Sequence, residues 1–92
     1  MKIIGETRDG KKVVTEVFKL YDTRGLPLSI IFQLCDEQNL IPSWIDFYID
    51  AIKAGWKDKT VKSRLKDEMS DYYSQEFTEN VIKRLNEFIN NN

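Results

Sequence analysis

The densest apolar run in the chain is LPLSIIFQLC at positions 26–35, where Leu, Ile or Phe fills six of the ten places and Cys35 closes the stretch. A segment apolar on nearly every side predicts a helix at the centre of a small bundle, with Leu34 in the core. Pro27 suits the first position of that helix, where its missing N–H costs nothing, and Asn39 and Pro42 stop it. Upstream, Val13, Val14, Val17, Phe18 and Tyr21 recur at helical spacing and predict a helix from Lys11, with Gly25 as the left-handed residue past its end. The β-branched Val13-Val14-Thr15 run works against that helix. Downstream, Ser43 with Asp46 forms a Ser-x-x-Asp capping box for a third helix, whose stripe is Trp44, Ile45, Tyr48, Ile49 and Ile52. Gly55 ends it. Asp58 can cap a fourth helix carrying Val61, Leu65, Met69 and Tyr72, and a fifth carries Phe77, Val81, Leu85, Phe88 and Ile89. No Gly or Pro separates these last two, so one long bent helix is an alternative. The pattern predicts an all-α single domain of four to five short helices. A loose arm over residues 1–10 precedes them, in which Asp9-Gly10 could close a short hairpin onto residues 12–15, and the tail at 90–92 frays.

Composition narrows the chemistry. Ninety-two residues make one domain. The chain has no His, which removes Ser-His-Asp and Cys-His nucleophile pairs, His-based zinc sites and the usual titrating group near neutrality. Its four glycines are scattered as turn residues rather than gathered in a phosphate loop, and its carboxylates show no acid-base spacing. We therefore expect no catalysis, no metal and no cofactor. A 41% hydrophobic and 32% charged composition, with no signal-like run in MKIIGETRDG and a single cysteine, points to a cytoplasmic protein without a membrane segment. Cys35, flanked by Leu34 in an apolar stretch, reads as a small core residue.

Two stretches could bind macromolecules. Ala51, Gly55 and Val61 have the spacing of a DNA-binding helix-turn-helix, in which Gly permits the turn while Ala and Val pack the helices together. Lys59, Lys62 and Lys66 would then meet phosphates, and Ser63 and Arg64 would reach base edges. Two features work against it. Arg64 stands where that motif usually has an apolar residue, and Asp67, Glu68 and Asp71 offer the lysines local partners. The net charge of −1 and pI near 5.4 also lack the global signature of a nucleic-acid binder. The other stretch is aromatic. Trp56, beside Lys53 and Lys57, is placed either to anchor a protein partner or to close the core, and Tyr72-Tyr73 puts one ring inside and one outside, with Tyr73 a candidate contact.

The run FKLYDTRGLP at 18–27 resembles the Phe-Lys-Leu-Tyr-Asp-Thr-Tyr-Gly-Phe-Pro segment in the aminoacylation region of alanyl-tRNA synthetases, matching at eight of ten positions and departing at Arg24 and Leu26. The likeness continues more weakly through Cys35, Gln38-Asn39-Leu40 and Asp46-Phe47, to about residue 50. It implies a helical pair joined by a tight Gly-Pro turn, near a tRNA acceptor stem in that family, with Asp22 as the polar contact to RNA. The family's ATP- and alanine-binding motifs are not among these residues, so no activity is implied. The leading expectation is a small non-catalytic interaction protein, of the kind a phage or mobile element uses to bind and modulate a host protein. A helix-turn-helix DNA-binding regulator using residues 51–66 comes second, and an RNA-contacting synthetase-like fragment third.

Overall fold

A computed structural model describes residues 1–91. The element order is β1 (Lys2–Glu6), β2 (Lys12–Thr15), α1 (Val17–Arg24), α2 (Leu28–Glu37), β3 (Leu40–Pro42), α3 (Trp44–Lys53), α4 (Asp58–Met69) and α5 (Gln75–Asn90). The three strands form one mixed sheet in the order β1-β2-β3, with β1 antiparallel and β3 parallel to β2. The chain is therefore an α/β fold and not the all-α bundle that its periodicity predicts.

The correction has a physical origin in residues 11–16. Val13, Val14 and Thr15 form a strand instead of the first turns of a helix, as β-branched side chains favour. Val14 packs into the core at 1% exposure, while Lys12, Val13 and Val14 pair with Leu40, Ile41 and Pro42. That partner lies more than two dozen residues downstream, beyond the reach of local periodicity. Glu16, at φ 66°, then turns the strand into α1, and Asn39, at φ 58°, turns α2 into β3. Asn tolerates the left-handed region better than Glu does. At the tip of the β1–β2 hairpin, the Thr7 backbone N–H donates to the Lys11 carbonyl at 2.8 Å.

Gly25 is left-handed at φ 70°, and the backbone N–H groups of Gly25 and Leu26 donate to the carbonyls of Tyr21 and Leu20, closing α1 as expected. Pro27 is the cap of α2, one residue before the place the sequence suggests. The α2 helix buries Leu28, Ile31, Phe32 and Cys35 against its neighbours α1, α4 and β3. It is not apolar-packed all round, because Ile30 and Leu34 remain 42% and 37% exposed. The stripe expected on α3 is rotated as well. Phe47 and Ala51 are the buried residues, and Ile45 and Ile52 face outward. Ser43 caps that helix without a side-chain hydrogen bond, so the capping box does not form.

The centre of the core is Phe18. Its ring meets Phe47 at 5.3 Å and Trp56 at 5.2 Å, both edge-on, a favoured aromatic geometry. Val61, Leu65 and Met69 complete the core from α4, and Val81 and Leu85 from α5. These two helices are separate. Ser74 stops them merging, since its hydroxyl accepts from the Phe77 N–H at 3.1 Å and caps α5. At the other end α5 continues to Asn90 with Asn91 as its cap, so the helix reaches into the tail expected to fray, and Asn92 lies outside the described residues. Among the described residues no helix is long and apolar enough to cross a membrane.

Candidate binding cleft

The sheet, α3 and α5 enclose a cleft of about 350 Å³. Its floor is Val13 and Ile41, neighbours across the β2–β3 ladder. Trp44 and Ile45 at the start of α3 form one wall, and Phe77, Val81 and Leu85, spaced four apart along α5, form the other. Thr7, Pro42, Ser43, Asn80 and Arg84 complete the lining. The parallel ladder creates this site: it presents Val13 and Ile41 to α5 while Val14 enters the core. Because β3 is not visible in the periodicity, the cleft is not visible either. The signals that would have found it are the Leu40-Ile41-Pro42 triplet beside Asn39 and the β-branched 13–15 run.

A smaller hollow adjoins it, lined by Thr7, Asp9, Lys11, Tyr72, Tyr73 and Phe77 among others. Tyr73 is turned inward here. Its ring stacks on Phe77 at 5.0 Å and meets Trp44 edge-on at 5.9 Å, and the Lys11 ammonium lies 5.3 Å from its centroid. Burial raises the Tyr73 hydroxyl well above the usual phenol range, with Cys35 and Asp36 adding to the shift. Burial alone pushes the Cys35 thiol up to about 11. A thiol so disfavoured as thiolate is a poor nucleophile, in keeping with a core role.

The other candidate residues fall around α4, away from the cleft lining. Trp56 packs inward on Phe18 and lies edge-on to Tyr21 at 5.5 Å, while the Arg64 guanidinium covers its ring at 5.5 Å. Arg64 is thus half-buried on an aromatic surface, which is how a cation occupies an otherwise apolar position. Lys62 is held by Asp58 at 2.9 Å. Asp58 also accepts from the Tyr48 hydroxyl at 2.8 Å, so it ties α3 to α4 from the first residue of α4, with Lys57 in the cap position expected for Asp58. These bonds lower the Asp58 carboxyl, with Lys62 the largest cause. Lys53, Lys57, Lys59, Ser63 and Lys66 are exposed. Asp22 is exposed near the end of α1. Ala51 and Val61 are fully buried on α3 and α4, and Gly55, with φ 100°, lies in the turn between them.

Among the described residues no group of three His, Cys, Asp or Glu side chains is placed to hold a metal ion. No protein-family model matches the chain, and neither the curated proteins nor the solved structures compared with it yield a match. The likeness of residues 18–50 to alanyl-tRNA synthetases therefore rests on the sequence alone.

Proposed function

We propose that this chain is a non-catalytic binding domain that takes up a segment of another protein in the cleft between the β2–β3 ladder and α5. The observation that carries this reading is the cleft itself: about 350 Å³, walled by apolar side chains from a strand pair and two helices. That volume is at the small end for ligand pockets and suits one or two bulky apolar side chains. Ile45, 40% exposed at the rim, extends the apolar surface beyond the cleft mouth, as a docking anchor does. Because these walls belong to regular elements, little ordering is needed on binding.

Selection of random dodecapeptides displayed on phage against the full chain tests this. Peptides with bulky apolar residues should be enriched, should perturb the emission of Trp44, and should bind at least tenfold more weakly to Ile45→Asp. Ile45 is exposed, so that variant should melt with the parent. No enrichment, or binding indifferent to Ile45→Asp, would sink the reading.

A second reading has its own support in the α3–α4 corner, where Ala51, Gly55 and Val61 occupy the packing positions of a helix-turn-helix and Lys59, Ser63 and Lys66 are exposed. Against it, Lys62 is engaged by Asp58 and Arg64 by Trp56. A salt-sensitive complex with one duplex DNA sequence, weakened by replacing Lys59 and Lys66 with Ala, would put this reading first.

A further inference from the structure

We infer that the cleft selects an acidic apolar segment, whose carboxylate is received by Arg84 and Asn80 on α5. This rests on the binding reading above and adds the chemistry of the occupant. Asn80 and Arg84 stand one turn apart on α5, on the same face, and both line the cleft. Neither side chain makes a hydrogen bond or ion pair with any described residue. Ser43, a third lining residue, likewise has an unengaged hydroxyl.

Among the described residues Arg84 is the one cation in the cleft lining, and Lys11, in the adjoining hollow, is already engaged over the Tyr73 ring. No Asp or Glu lines the cleft. On α5, Glu76 and Glu87 stand one turn from Asn80 and Arg84 without pairing with Arg84, and Glu79 accepts from Gln75, while Asp9 lies in the adjoining hollow, where the Thr7 hydroxyl donates to it. The mouth of an apolar cleft therefore carries one unpaired guanidinium beside an amide donor. An apolar side chain alone would leave that fork solvated and idle. A side chain flanked by Asp or Glu would give it a planar, two-oxygen acceptor, the geometry for which Arg is suited and Lys is not.

Three peptides sharing a Leu-Phe centre, flanked on both sides by Glu, by Gln or by Lys, test this by calorimetric titration of the full chain. The Glu peptide should bind roughly two- to fivefold more tightly than the Gln peptide at low salt, as for a partly exposed charge pair, and the Lys peptide more weakly still. The advantage should shrink as salt is raised. It should vanish in Arg84→Gln and return in part in Arg84→Lys, with both variants melting like the parent because Arg84 is exposed and unpaired. Equal binding of all three peptides, still weakened by Ile45→Asp, would overturn the acidic preference and leave the cleft reading standing. Binding by none of them, together with no enrichment in the display selection, would overturn both.

Discussion

At the residue scale, exposure decides what a substitution costs. Leu65 is fully buried on α4, so Leu65→Ala should destabilise the chain by about 2–5 kcal/mol in denaturant titrations. Leu34→Ala, in the most apolar stretch, should cost about 1 kcal/mol or less, because Leu34 is 37% exposed. Trp56 is partly buried against Phe18 and Tyr21, so Trp56→Ala should lower stability by about 2–3 kcal/mol, whatever it does to binding. Cys35 supplies a pH dependence of definite sign. Its thiol ordinarily titrates at 9.0 and is pushed up to about 11 by burial, so the folded state holds its proton longer than the unfolded state. The contribution is whole below pH 9, and between pH 9 and about 11 the unfolded chain ionises first and stability is lost, by about 2–3 kcal/mol in all. Denaturant midpoints measured across that window should fall, and Cys35→Ala should reduce the fall to what Tyr48, Tyr72 and Tyr73, also raised by burial, contribute.

At the element scale, β1 is the exposed edge of the sheet, while β2, its partner in the hairpin, is tied to the core through Val14. Every residue of β1 is exposed, including Ile3 and Ile4, and the register shifts between Ile3 and Gly5. A bulge and a short length are devices that discourage edge pairing with another chain. Hydrogen exchange should therefore find β1 amides exchanging faster than those of α4 by orders of magnitude, since β1 can open without disturbing the core. Equal protection would show the hairpin to be part of the global cooperative unit. The same distinction explains what could be read from the sequence. Gly25, Gly55 and the Val61-Leu65-Met69 spacing are local signals: α1 and α3 end where the glycines stop them and α4 stands where expected, although α1 begins at Val17 and not at Lys11. Val13-Val14-Thr15 and Leu40-Ile41-Pro42 are too short to show a period, and each becomes a strand only because the other is there. The rotated face of α3 has a related cause: Phe47 and Ala51 turn toward the partner helices that tertiary packing supplies. The cleft depends on that pairing and on that rotation, so none of its geometry is legible locally. Its Trp44 and Phe77 walls are legible only as apolar positions.

At the scale of the whole molecule, the order β1-β2-β3 joins one antiparallel ladder to one parallel ladder, and the two respond differently to a directed load. A pull between Met1 and the end of α5 reaches the hairpin at its open end, where Lys2 faces Thr15. The β1 bonds are then loaded one after another, and the strand peels away at low force, releasing on the order of 30 Å of chain. The pull next acts on the beginning of β2, while β3 is held from its far end by α3. Because those strands run in the same direction, their bonds are loaded together, in shear. Single-molecule extension should show a small early step followed by one abrupt rupture at higher force. A single event would mean that β1 is anchored more firmly than its exposure implies. The Val13–Ile41 pairing that floors the cleft would thus act as a mechanical clasp, holding the binding surface together after the N-terminal strand has been stripped from it.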